Sequence, residues 1–263
     1  GTPTELGTQP IGKLLLQYAI PAIIAMTASS LYNMADSIFI GHGVGALAIS
    51  GLALTFPLMN LAAAFGSLVG VGASTLVSVK LGQKDYEGAN RVLGNVLVLN
   101  VVLGLAFTLA FMMFLDPILY FFGASENTIG YARDYMKVIL MGNVVTHMYL
   151  GLNSVLRSSG FPKMAMYATL ASVVINCVLN PLFIFGFGWG IKGSAWATVI
   201  SQVISLTGQL IHFSRPTQLL HFKKGIFRLK NEIVKGILYI GLSPFLMNLC
   251  ACLIVILINR GLK

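Results

Sequence analysis

Asp36 is the residue whose type and position most clearly suggest chemistry. It is the only acidic residue in the long apolar stretch between Lys13 and Lys80. If that stretch crosses a membrane, a carboxylate there costs about 2.5 to 3.5 kcal/mol or more, so it needs a partner or a polar cavity. A carboxylate held in such a cavity can exchange a proton or bind a cation.

Polar residues precede Asp36 on the same helix face. Ser29, Tyr32 and Asn33 lie one and two turns before it, which indicates an inward-facing polar stripe. A plainer interpretation stays open, because Asp36 lies five residues before Gly41. At that position it would simply be hydrated near the outer interface.

Two later apolar segments carry further polar stripes. Asn176 and Asn180 are one helical turn apart. Spacings of four, three and four residues separate Ser194, Thr198, Ser201 and Ser205. Such stripes are typical of helix packing seams, but they would also suit a hydrophilic pocket shared with the Asp36 helix.

Two other residues have alternative interpretations. Pro21 lies inside the first apolar segment, where it removes a backbone hydrogen bond, so it is equally consistent with a hinge and with a static kink. His147 is of the one residue type whose ordinary pKa lies near neutral pH, but a lone histidine in a membrane segment is more often a hydrogen-bonded packing residue than a proton relay.

The segments that must position these residues have membrane composition. The 263 residues are 56% hydrophobic and 10% charged, with a mean hydropathy of +0.83. Their charges form short clusters between long apolar runs, which predicts an integral membrane protein. The three cysteines lie inside apolar runs without metal-site spacing, so we interpret them as packing residues.

The apolar runs predict seven transmembrane helices. The run between Arg91 and Asp116 is 24 residues long, which at about 1.5 Å per residue crosses a hydrocarbon core of roughly 30 Å. Two spans separated by a glycine-rich turn at 41–45 precede it. The other runs lie at 138–156, 164–191, 193–214 and 236–259.

The distribution of basic residues predicts the orientation. Twelve Lys and Arg residues fall on the side of Lys13 and five on the opposite side. The positive-inside rule therefore places the N-terminus in the cytoplasm. The net charge of +9 reflects topology, so nucleic acid is not an expected partner.

A basic segment divides the chain. We predict a six-helix lobe at 1–214, a cytoplasmic linker at 215–235 and the first helix of an incomplete second unit at 236–263. Apolar residues among the lysines of the linker suit an amphipathic helix on anionic headgroups. Because the chain starts with Gly1, and span seven repeats the early proline of span one, we expect trimming at the start and a missing second lobe.

Several motifs together resemble one family of transporters. They are 32–41 (YNMADSIFIG), 76–85 (LVSVKLGQKD), 156–163 (LRSSGFPK), 175–186 (INCVLNPLFIFG) and 190–202 (GIKGSAWATVISQ). They resemble the multidrug and toxic compound extrusion (MATE) transporters, and within them the branch of the DNA-damage-inducible F proteins. The resemblance implies a fragment of an all-α protein with twelve helices in two lobes. Such a protein sits in the cytoplasmic or inner membrane and exports amphipathic, often cationic compounds in exchange for protons or sodium, without another cofactor.

The resemblance also implies roles for individual residues. Asp36 corresponds to the coupling carboxylate and Pro21 to the bending proline. The coupling-ion pocket, a possible Na⁺ site, would use Asp36, Asn176, Asn180 and Thr198, bordered by Tyr32. The family usually has aspartate where this chain has Asn180, which puts sodium coupling in doubt and favours protons.

Two other functions are alternatives to drug export. A flippase of lipid-linked oligosaccharides, from the same superfamily, would need a more cationic cavity than these spans provide. A membrane-embedded enzyme would need convergent His, Cys, Asp or Glu side chains, and only Asp36 and His147 qualify. We therefore predict a transporter and not an enzyme.

Overall fold

The computed structural model describes residues 11–215, 220–222 and 231–261, and this part of the chain is built from helices joined by short turns. The helices are α1 (Ile11–Gly43), α2 (Ala46–Gly82), α3 (Tyr86–Met113), α4 (Leu115–Phe121), α5 (Ile129–Met141), α6 (Asn143–Ser158), α7 (Pro162–Pro181), α8 (Ile191–Ser214) and α9 (Asn231–Gly261). A π-helical turn, Leu182–Gly186, extends α7. The predicted all-α fold is confirmed.

The turns form where the backbone chemistry allows them. The predicted glycine turn separates α1 from α2, and Gly45 adopts φ +128°, a conformation that residues with a Cβ rarely reach. Between α2 and α3, Asp85 caps α3 by accepting a hydrogen bond of 3.0 Å from the backbone N–H of Gly88. Pro162 begins α7, where its missing N–H costs nothing.

Length and composition agree with a multi-span membrane protein. Among the described residues, four stretches can span a membrane on their own: Leu15–Gly43, Ala46–Gly82, Tyr86–Met113 and Pro162–Gly186. Two bent helix pairs raise the number to six. At 24 residues α8 has the length of a span, but its hydroxyl, amide and imidazole side chains make it less apolar.

The fourth predicted span differs from a single helix at 138–156. It begins at Ile129 and consists of α5 and α6, which meet at an angle of 58°. The bend falls at Gly142, a residue type that weakens a helix, and the missing side chain leaves room for α8: a Cβ there would lie 2.7 Å from both methyl groups of Val199. Arg133 and Lys137, which lie before the predicted span at 138–156, belong to α5 in the structure.

The last helix also differs in detail from the sequence-based boundaries. It starts at Asn231, five residues before the predicted boundary at 236, and it bends by 40° around Pro244. Most of the predicted linker, 216–219 and 223–230, lies outside the described residues. The amphipathic surface helix therefore stays a prediction.

The helices pack around α2, which contacts α9, α6, α3 and α5, whereas α1 packs chiefly against α7. Within the described residues, buried apolar side chains form one cluster around Leu58 and Tyr135 and another around Val77 and Leu156. Many large apolar side chains face outward, such as Leu257 at 65% exposure. An outward apolar surface of this kind suits a lipid environment.

Candidate functional site

The Asp36 carboxylate lies inside the helix bundle. Its residue is only 5% exposed, so it is not the hydrated interfacial group of the plainer interpretation. The Oδ1 atom accepts a hydrogen bond of 2.7 Å from the Ser194 hydroxyl of α8 and another from the Asn180 amide of α7. The charge is thus held where α1, α7 and α8 meet.

Asn176 and Thr198 continue this polar pocket between α7 and α8. The Nδ2 atom of Asn176 donates to the Thr198 hydroxyl at 3.0 Å. That hydroxyl donates in turn to the Ser194 carbonyl oxygen at 3.2 Å. Because Ser194 also donates to Asp36, the side chains of the two asparagines, the hydroxyls and the carboxylate form one connected group.

The pocket contains acceptors that are not satisfied. The Oδ1 atoms of Asn176 and Asn180 are buried, and neither has a hydrogen-bond partner in the part of the chain that the structure describes. Each such acceptor costs about 1 to 3 kcal/mol in a protein interior. A cation or an added hydrogen-bond donor would relieve this cost.

The charge of the pocket limits what it can hold. Asp36 is the only acidic residue in α1, α7 and α8, so the pocket supplies one carboxylate together with amide and hydroxyl oxygens. Among the described residues, no three His, Cys, Asp or Glu side chains lie close enough together to hold a metal ion. The donor set therefore fits a proton or a monovalent cation better than a divalent metal.

The regular part of α7 ends just after Asn180. Pro181 follows it directly, and the α-helical pattern of α7 gives way there to the π turn. Proline removes a backbone donor, and a π turn changes the direction in which adjacent side chains point. Asn180 itself lies one regular helical turn after Asn176, before the π turn begins, so the two asparagines share the face that meets α1 and α8.

The other residues singled out from the sequence lie elsewhere. Pro21 is buried in α1, which runs through it as one helix, about 22 Å along the axis from Asp36. The side chain of Tyr32 lies outside the described part of the structure. His147 is buried between helices with Nε2 3.0 Å from the Ala62 carbonyl oxygen, as expected for a packing histidine.

The polar stripe of α8 has two parts with different roles. Ser194 and Thr198 belong to the pocket, whereas Ser205 donates to the Ala168 carbonyl of α7 at 2.9 Å, which is a packing seam. Ser194 was noted in the sequence only as a member of this stripe, although it contacts the carboxylate directly. The signal that could have identified it is its spacing of four residues from Thr198.

The MatE family model matches residues 21–182, which run from the middle of α1 to the end of α7 and include both asparagines. The chain belongs to the MATE family. It is 32% identical over 237 residues to the multidrug export protein MepA of Staphylococcus haemolyticus, which covers 90% of this chain and 52% of that relative. To MepA of Staphylococcus aureus it is 30% identical over 240 residues, or 91% of this chain and 53% of the relative.

Solved MATE structures have the same arrangement of helices. A MATE protein in the bent conformation superposes with a TM-score of 0.83 at 29% identity, over 94% of this chain and 53% of that one. An outward-facing multidrug resistance MATE transporter gives 0.85 at 29% identity, over 95% and 53%. The chain thus spans about half the length of these relatives, and its family is one of multi-pass membrane transporters and not of enzymes.

Proposed function

We propose that the protein is a cation-coupled exporter of amphipathic, often cationic compounds, and that Asp36 is its coupling carboxylate. The observation that carries this proposal is the burial of Asp36 in a polar pocket with unsatisfied amide carbonyls. The names of the MepA relatives, multidrug export proteins, support the substrate class. A complete transporter would include a second lobe beyond the part described here.

The coupling ion is proposed to be a proton. Asp36 accepts hydrogen bonds from Asn180 and Ser194, which is the pattern of an ionised carboxylate. Once protonated, it would become a donor and could satisfy one of the orphan carbonyls of Asn176 or Asn180. Sodium also prefers oxygen ligands, but it would gain from the second carboxylate that this pocket lacks.

The transport cycle follows from this exchange of hydrogen bonds. In the outward-open state a proton reaches Asp36, and the contacts among α1, α7 and α8 change. Together with bending of α1 at Pro21, this change would favour drug release and the return of the transporter. A ligand shifts such an equilibrium only if it binds one state more tightly than the other. Here the ligand is the proton, and its affinity for Asp36 would differ between the two states.

The proposed location is the cytoplasmic or inner membrane, with the N-terminus of the chain in the cytoplasm. The unequal distribution of basic residues supports this orientation. It would place Asp36, near the end of α1, in the outer half of the bilayer.

The first prediction tests the coupling role in the full-length protein. Asp36→Asn should abolish efflux of a dye such as ethidium, because an amide, unlike a carboxylate, cannot bind and release a proton. Glu126→Gln is the matched control, since Glu126 is exposed in a loop and should leave efflux unchanged. Efflux from proteoliposomes, measured with a pH gradient alone and with a sodium gradient alone, distinguishes the two ions. Normal efflux by Asp36→Asn would remove Asp36 from the mechanism.

A further inference from the structure

One face of α7 is exposed along most of the helix. Its exposed residues follow one another at spacings of four or three, which keeps them on one side of a helix. In chain order, up to the π turn, they are Tyr167, Ala171, Val174, Val178, Leu182 and Phe185. The opposite face carries Asn176 and Asn180, which belong to the polar pocket. The exposed face, which we call the α7 stripe, is apolar except for the Tyr167 hydroxyl.

Aromatic and basic residues follow the C-terminal end of the α7 stripe. Beyond Phe185, the ring centroids of Phe187 and Trp189 lie 5.1 Å apart, and both side chains are about half exposed. The backbone N–H of Trp189 donates to the Phe183 carbonyl at 3.0 Å, which holds this turn against the end of the helix. The next charged residue, Lys192, is exposed at the start of α8.

The N-terminal end of the α7 stripe has the same chemistry. Lys163 is exposed in the first turn of α7, one turn before the exposed Tyr167. Tyrosine, tryptophan and lysine suit the boundary between hydrocarbon and head groups, because each has an apolar body and a polar tip. The stripe therefore runs from one aromatic and basic pair to another.

The length of the α7 stripe matches a bilayer. From Tyr167 to Phe185 the chain advances 18 residues, or about 27 Å at 1.5 Å per residue. A hydrocarbon core is about 30 Å thick, so the aromatic ends fall at its two boundaries when α7 crosses the membrane. Pro162–Gly186 is one of the stretches that are long and apolar enough to cross it.

The surroundings of the α7 stripe leave it open to lipid. The helix packs against α1, α6 and α8, whereas α9, where the proposed second lobe begins, packs chiefly against α2. The chain has no charged residue between Lys163 and Lys192, so water is a poor solvent for this face. Acyl chains are the partner whose chemistry fits the middle of the stripe, and head groups fit its ends.

We propose that the α7 stripe is a lipid-contact face that sets the depth of the lobe in the bilayer. Tyr167 and Lys163 lie in one interfacial region. Trp189 and Lys192 lie in the other. Acyl chains cover the apolar residues between them, and phospholipid phosphates lie near the two lysines.

This placement also gives the depth of the Asp36 pocket. Asn180, which contacts Asp36, precedes Phe185 by five residues, so the pocket lies about 7 Å inside the nearer hydrocarbon boundary. The functional consequence rests on the coupling role proposed above for Asp36. A proton that enters from the side of Trp189 crosses only this short distance to the carboxylate.

The test measures tryptophan emission from the full-length protein in phosphatidylcholine vesicles. The acyl chains carry bromine either near the head group or near the chain end, and bromine quenches an indole only on close approach. The difference in emission between the natural protein and Trp189→Phe is the emission of Trp189. It should lose more intensity to bromine near the head group than to bromine near the chain end.

A second variant tests the middle of the α7 stripe. Val178 is 63% exposed, and the emission added by Val178→Trp should lose more intensity to bromine near the chain end. Phe107→Trp is the matched control, since Phe107 is 5% exposed and its added emission should be quenched by neither lipid. If Val178→Trp does not insert, Val174→Trp, one turn away on the stripe, takes its place.

Two results would overturn the proposal. Added emission at Val178 or Val174 that neither lipid quenches would mean that the second lobe or a second copy of the chain covers the stripe. Emission of Trp189 that is quenched mainly by bromine near the chain end, or by neither lipid, would remove this residue from the interface. Because these readouts do not depend on transport, their failure would leave the coupling role of Asp36 intact, and loss of that role would leave the measured depths unchanged.

Discussion

At the scale of single residues, the pocket is notable for what surrounds its one charge. Asp36 is compensated by neutral donors, Asn180 and Ser194, and not by a basic side chain. Neutral partners leave the net charge of the pocket negative, so a proton or a cation still gains by entering. A buried arginine in the same place would have neutralised the site and removed that gain.

Asn180→Asp should change the ion preference of the pocket. Two carboxylates in contact cannot both stay ionised without a cation between them, so the variant should bind Na⁺. We expect the full-length variant at pH 8 to melt at a higher temperature in NaCl than in KCl, with little difference for the natural chain. Asn127→Asp, in an exposed loop, is the matched control. An Asn180→Asp variant that is insensitive to sodium would show that charge count does not set the ion preference.

At the scale of helices, two irregular elements shape the lobe. The π turn after Pro181 follows the residue that contacts Asp36. The 58° bend between α5 and α6 lets α8, which carries Ser194 and Thr198, pack closely against Gly142. Both irregularities lie next to the elements that carry the pocket residues.

Gly142→Ala tests the close approach at the bend. The new methyl group would lie 2.7 Å from the Val199 side chain, and overpacking of this kind costs about 1 to 3 kcal/mol. We expect a lower melting temperature, with part of the loss recovered in the double variant Gly142→Ala, Val199→Ala. Gly130→Ala is the matched control, because a Cβ at Gly130 meets no atom within 4 Å.

The control substitution is expected to change the melting temperature in the opposite direction from Gly142→Ala. Alanine in an open helical position is favoured over glycine by about 0.5 to 1 kcal/mol, so Gly130→Ala should be neutral or stabilising. Equal melting temperatures for Gly142→Ala and Gly130→Ala would mean that the bend does not depend on the glycine. A double variant no more stable than the single one would locate the strain away from Val199.

At the scale of the whole molecule, α9 crosses α2 in direct backbone contact. A Cβ at Gly72 would overlap the Ile237 carbonyl, and a Cβ at Gly241 would overlap the Leu68 carbonyl. Close crossings through small residues are a common way for membrane helices to associate. If α9 begins the second lobe, as we propose, this crossing joins the two lobes.

Gly72→Leu should separate α9 from α2, because backbone atoms cannot yield to a side chain. We expect a lower melting temperature and loss of dye efflux in the full-length protein. Gly208→Leu is the matched control, since a Cβ on that residue of α8 meets no atom within 4 Å. A Gly72→Leu protein with normal stability and efflux would show that the crossing has no role in joining the lobes.

Local chemistry made much of this protein predictable from its sequence. Long apolar runs, a lone carboxylate and polar residues one turn apart follow from chain order, so they identified the membrane class, the glycine turn after α1, and the polar positions Asp36, Asn176 and Asn180. The family resemblance, and not the spacing, singled out Thr198 from the polar stripe of α8. The 58° bend, the direct Ser194 contact with Asp36 and the unsatisfied carbonyls of Asn176 and Asn180 were decided only by tertiary structure. Each depends on the distance between helices that are remote in the sequence, and helical periodicity specifies which face a residue occupies but not which neighbouring helix that face will meet.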